Sequence, residues 1–170
     1  MAKTYNIDTP AGTAIANGKS MLAIANTDAS KIVKIYRVWV YPNATIVTGV
    51  MVTFRCREFT MLTGGTAVTP VAHDSANTSV DLTNITTVTN ATITSPSVLF
   101  SWMVSSEEVT VSGATNNHLL SFYPFALALD LTGDSNIDPI ILRQNQGFDV
   151  LCDSNSTAGN FDVIFEFTVS

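Results

Sequence analysis

Along much of the chain apolar and polar residues alternate singly over short runs, the two-residue period of a strand with one buried face. The clearest run covers residues 48–59, where Val50, Val52, Phe54 and Cys56 take one parity and Thr53, Arg55 and Arg57 the other. It predicts a half-buried strand. Residues 161–169 repeat the pattern, with Phe161, Val163, Phe165 and Phe167 on one side and Asp162, Ile164, Glu166 and Thr168 on the other. With the apolar run 148–152 and the connection 153–160, they predict a C-terminal hairpin.

Lys31, Lys34 and Arg37 have helical spacing, but the β-branched and aromatic residues between them favour an extended chain, so residues 31–41 are predicted as a long strand ended by Pro42-Asn43. Further strand candidates are 21–25, 98–104, 108–111, 119–125, 126–131 and 140–143. Residues 61–76 hold Gly64-Gly65, Pro70 and Asp74-Ser75 and predict a loop excursion. The Thr/Asn-rich stretch 78–95 predicts one or two exposed strands, without the fixed repeat of a solenoid. Residues 1–19, punctuated by Thr9-Pro10-Ala11-Gly12 and Asn17-Gly18, read as an irregular arm able to reach a neighbour. No segment shows a helical stripe. The expectation is therefore an all-β antiparallel sandwich, with an arm over 1–19 and a single domain over 20–170.

Composition changes the picture of the surface. Only 13% of the 170 residues are charged, against about 25% in an average domain, so the polar remainder is neutral and rich in Thr, Ser and Asn. Mean hydropathy is +0.27. Such a skin tolerates burial, because interface cores are depleted of charge. A net charge of −6 has the wrong sign for sequence-independent capture of nucleic-acid phosphate, so no nucleic acid is expected as a partner.

The charge is unevenly placed: residues 1–57 hold seven of the eight basic residues and two of the fourteen acids. Two accounts stand side by side. Lys31, Lys34, Arg37, Arg55 and Arg57 can form a basic hairpin that docks on an acidic partner, or they can pair internally with acidic strands. Residues 1–10 are polar and 11–25 are broken by Asn17-Gly18-Lys19, so no signal peptide is read; the apolar runs 98–104 and 125–129 are far too short for a membrane span. The Asn-X-Ser/Thr sequons at Asn43, Asn77, Asn84, Asn90 and Asn155 are then read as accidents of composition. Cys56 and Cys152 lie on apolar parities and are expected as buried free thiols.

Candidate chemistry is sparse. His73 and His118 lack metal-ligand spacing, and His73-Asp74 has no particular serine to complete a triad. Glu107 and Glu108 would point to opposite faces of a strand, which suits a solvated edge better than an acid/base pair. Asp130, Asp134 and Asp138 could ligate calcium but lack the EF-hand pattern. Trp39, Trp102, Tyr36, Tyr41 and Tyr123 could stack on sugars, although such residues more often anchor cores and interfaces. The motifs GxGxxG, GxxxxGK[ST] and GxSxG do not occur. No catalytic residue, metal or cofactor is assigned.

The run from Lys31 through Val40-Tyr41-Pro42-Asn43, Val47-Thr48-Gly49-Val50, the stretch Thr63-Gly64-Gly65-Thr66 to His73-Asp74-Ser75-Ala76-Asn77, and the endings Pro139-Ile140-Ile141-Leu142-Arg143-Gln144 and Thr157-Ala158-Gly159-Asn160-Phe161-Asp162-Val163 resemble small jelly-roll virion proteins of tailed bacteriophages. The resemblance covers about half the chain, through turn and strand signatures, and carries over no active site. It implies a jelly-roll-like sandwich without enzymatic activity. The implied role is a capsid decoration or cement subunit on the outer surface of the head, assembled in the host cytoplasm, with the major capsid protein as partner. By analogy with other jelly-roll subunits it implies a homotrimer. The alternative is a head-fibre, tail or adhesin module that recognises host glycans. Under the first reading, Lys31, Lys34, Arg37, Arg55 and Arg57 are the candidate lattice contacts.

Overall fold

A computed structural model of the chain describes residues 3–10, 15, 17–46, 51–76, 82–105, 127–130, 138–153 and 159–170. The expected strands at 108–111 and 119–125 lie outside these. Two six-stranded antiparallel sheets face each other. The first holds β1 (Lys3–Asp8), β3 (Val33–Ile46), β7 (Val71–Ala72), β11 (Leu127–Asp130), β12 (Ile140–Leu142) and β14 (Gly159–Val169), with β11 and β12 following one another along the same side of β3. The second holds β2 (Ser20–Asn26), β4 (Met51–Phe59), β6 (Thr66–Ala67), β8 (Ile85–Thr89), β10 (Ser97–Ser105) and β13 (Gln146–Cys152).

The principal pairings follow one rule. β1 pairs β14, β2 pairs β13, β3 pairs β11 and β12, and β4 pairs β10. The chain is one long antiparallel hairpin folded over on itself, first strand against last and second against next to last. The pairings β14 with β3 and β13 with β4 then close each sheet. The result is a sandwich of antiparallel sheets, as the alternation predicts.

The expected C-terminal hairpin is corrected by that winding: β13 and β14 are consecutive but belong to opposite sheets. The hairpin expected over 31–57 is corrected in the same way, because β3 and β4 also lie in different sheets. The irregular arm is corrected over residues 3–8. Lys3–Asp8 is a strand in full register with β14, and Tyr5 and Ile7 are buried in the core. Its charged ends and the following Thr9-Pro10 disguise a two-residue period that has only Tyr5 and Ile7 to display it.

Between the sheets the inward parities of β3, β4, β13 and β14 form the core, as their alternation predicts. Phe148 meets Phe165 edge-on across the two sheets with ring centroids 5.3 Å apart, and Phe54 meets Phe161 at 5.1 Å. Both cysteines are free and buried in this layer. A bulge at Tyr36 against the Glu166–Phe167 step lets Ile35 and Val38, three apart, both point inward. Strand β3 runs past Pro42 to Ile46. Beyond Trp39 no described strand pairs its outer side, so on that side the ladder demands no donor of the proline.

The excursion at 61–76 is more ordered than its composition predicts. β5 (Met61–Thr63) pairs β9 (Thr92–Thr94) in a two-stranded flap over the outer face of the second sheet, while β6 and β7 extend one sheet each. Under the flap a second apolar cluster forms from Ala23, Ala25, Phe59, Val88 and Ala91, with Leu62 and Ile93 against it. Strands of two or three residues are too short to display a period, which is why this region reads as loop. Within 78–95 two strands form, β8 and β9, but the expectation that they are exposed is corrected for β8, whose Thr87, Val88 and Thr89 are buried.

Candidate interaction surface

The winding decides where the five candidate basic residues go. Lys34 and Arg37 lie on the outer face of the first sheet, Arg55 and Arg57 on the outer face of the second, and Lys31 in the turn before β3. They do not converge on one face. Arg37 Nη1 lies 3.0 Å from Glu166 Oε2, with its guanidinium 5.9 Å from the centre of the Trp39 ring. Arg55 Nε donates to Asp153 at 2.6 Å. Lys31 Nζ donates to the Thr83 carbonyl at 2.8 Å and lies 3.4 Å from Asp28. Lys34 stands in register between Ile141 and Thr168.

Arg57 is different in kind. Its Nε and Nη2 donate to Asp149 Oδ1 and Oδ2 at 3.0 and 2.5 Å, and the pair is almost wholly buried. Burial pushes the Asp149 carboxyl above the usual carboxylate range, against the opposing pull of the Arg57 guanidinium. Exposed pairs contribute about 0–1 kcal/mol; a buried bidentate pair instead makes each partner dependent on the other.

The lopsided charge of the sequence now has a structural account. The acids that meet Arg37, Arg55 and Arg57 come from β14, β13 and the turn after β13. Because the fold lays its first half against its second, a basic first half and an acidic second half favour this pairing over a slipped one. Three of the arginines are thus paired within the chain.

What sequence reasoning missed lies at the margin of the second sheet. Strand β10 pairs β4 on one side and no other strand among the described residues. Val98, Leu99 and Met103 are 48%, 40% and 59% exposed. Val98 and Met103 share the outer face with Arg57 and Thr53, and Leu99 is the extra residue of a bulge. The signal was present: Ser97–Ser105 contains no charged residue and no proline, the two usual guards of an exposed edge.

Among the described residues no three His, Cys, Asp or Glu side chains are placed to hold a metal. His73 donates its main-chain N–H to the Thr4 carbonyl in the turn after β7. Asp134, His118, Glu107, Glu108 and Tyr123 lie outside the described residues. No described helix is long and apolar enough to cross a membrane.

Two carboxylates give the fold opposite responses to acid. Partial burial, then the charge of Asp162, raises the Asp8 carboxyl above its ordinary 3.8. The folded state holds that proton more tightly than the unfolded chain, so stability declines as pH rises from about 3.8 through the folded value. Asp28 is lowered, by the Ser30 hydroxyl and amide and then by Asn84; its contribution is complete above 3.8 and is lost as pH falls below. Asp8→Asn should therefore flatten the decline in urea midpoint between mild acid and neutrality, while Asp28→Asn should remove stability only above 3.8. Urea titrations across pH check both.

Comparison with family models, with curated proteins and with solved structures finds no match for this chain.

Proposed function

We propose that this chain is a structural subunit that does no chemistry: a capsid decoration or cement protein. It would lie against the outer surface of a tailed-phage head, bind the major capsid protein and exist free as a homotrimer. Fold alone does not assign a role, so the reading rests on the surface. The observation that carries it is the uncharged β10 margin with Val98, Leu99 and Met103 exposed, beside arginines already neutralised within the chain. A margin of this kind suits burial against a neighbour more than long residence in water. The phage resemblance supports the choice of shell.

The mechanism is mass action. A subunit that binds only the assembled lattice adds its binding free energy to that state, and about 100-fold excess over Kd contributes about 2.7 kcal/mol per site. Within this reading β10 is the first candidate for lattice contact. Lys34 and the exposed Arg55 are secondary, and Arg57 is a structural anchor.

The test is co-sedimentation with heads that carry this chain. Wild type should pellet with them. Met103→Lys, at an exposed position, should fold normally and lose occupancy by tenfold or more, since burying an unpaired ammonium costs on the order of a kcal/mol or more. Arg55→Ala should change occupancy little. Unaltered occupancy for Met103→Lys removes β10 from the interface, and heads that lack the chain remove the proposal. Saturable binding on a glycan array would favour the adhesin alternative. A monomer by light scattering would remove the trimer.

A further inference from the structure

The sequence contains one Asn-Gly step, Asn17-Gly18. It forms an exposed turn directly before β2. Gly18 holds φ at +73°, and nothing lies within 4 Å of the place a Cβ would occupy. That combination matters chemically. A side chain on the residue after an asparagine crowds attack by its main-chain nitrogen on the asparagine amide, and glycine has none.

We infer that Asn17 is a site of spontaneous succinimide formation and deamidation. The main-chain nitrogen of Gly18, losing its proton, attacks Cγ of Asn17. A new C–N bond closes the five-membered ring, the bond to the side-chain amide nitrogen breaks, and that nitrogen leaves as ammonia with the proton. Water then adds to either ring carbonyl and opens it, leaving an aspartyl or an isoaspartyl residue at position 17. No oxidant, metal or enzyme enters the balance.

Among the described residues, the turn asparagines with positive φ are set against the same reaction. Asn84, Asn90 and Asn145 also sit in turns with positive φ, but they precede Ile85, Ala91 and Gln146. The Asn84 amide is further held by the Asp28 carboxylate at 3.2 Å. Asn26 is buried, with its amide donating to the carbonyls of Lys31 and Leu142.

The product changes more than position 17. Two residues on, the Lys19 ammonium donates to the Thr92 hydroxyl in β9 and so ties the flap to the start of β2. A new carboxylate at 17 competes for that ammonium, and the isoaspartyl form adds a methylene to the main chain where β2 begins. The site therefore converts elapsed time into an added negative charge beside the flap.

The experiment incubates the full chain, native and in urea, at neutral and mildly alkaline pH, and maps its peptides by chromatography and mass spectrometry. In the native protein the peptide containing Asn17 should gain a single mass unit, split into two species and convert faster at the higher pH. Its rate should lie within about threefold of the rate in urea, as expected for an exposed turn. Peptides containing Asn84, Asn90 and Asn145 should stay unchanged over the same interval, and Asn17→Gln should abolish the shift. Conversion in urea with none in the native protein would overturn the inference, as would earlier conversion at any of the other three.

Discussion

Replacing Asp149 by Ala is expected to remove about 3–5 kcal/mol of stability, the loss typical when one partner of a buried ion pair is deleted. The Arg57 side chain is only 9% exposed and Asp149 Oδ1 and Oδ2 take its Nε and Nη2. Without the carboxylate, a guanidinium that cannot shed its proton is left beside the packed flap cluster. Arg55 provides the internal control. Its pair with Asp153 lies on the same outer face but is substantially exposed, so Arg55→Ala should cost no more than about 1 kcal/mol. The double change Arg57→Met with Asp149→Leu should recover most of the loss, because it leaves no charge buried and fills similar volume. Guanidinium unfolding curves read all three. Equal small losses for Asp149→Ala and Arg55→Ala would show that the Arg57 pair is not the anchor described.

Gly147→Ala is expected to cost about 1–3 kcal/mol, the range for overpacking a filled site. A Cβ at Gly147 would collide with Cε2 and Cζ of the Phe59 ring. The ring must move, and it is itself buried in the cluster of Ala23, Ala25, Val88 and Ala91 beneath the flap. Across the sheet Gly147 is in register with both Phe59 and Ala25, so small residues on β2 and β13 make the floor on which the ring lies. The cost should shrink in a Phe59→Leu background, with a coupling of about 0.5–3 kcal/mol as found for contacting pairs. Additive losses in the double-mutant cycle would place the strain elsewhere.

These two sites show what could be read before the fold was known and what could not. The strand at Met51–Phe59, with its inward Val52, Phe54 and Cys56, stands in the sequence because alternation is a local property of the chain. The same holds for Gly159–Val169 and the buried free thiols. The importance of Gly147 was not legible: nothing in its neighbours along the chain marks it, yet the close approach of Phe59 forbids a larger residue there. Nor could Arg57 be told from Arg55. They share a strand, a parity and a charge, and differ only in which neighbour covers them.

By itself the sequence determined the class of fold, the strands long enough to show a period, and the charge imbalance that tells first half from second. Those follow from each residue's immediate neighbours along the chain. Only the tertiary structure decided that β3 and β4, like β13 and β14, part to opposite sheets, that β1 is the partner of β14, and that Arg37, Arg55 and Arg57 are paired within the molecule. The physical reason is that strand partners are chosen by burial and hydrogen bonding between segments far apart in the chain. Lys3 meets Val169 across nearly its whole length, and no local pattern specifies such a meeting.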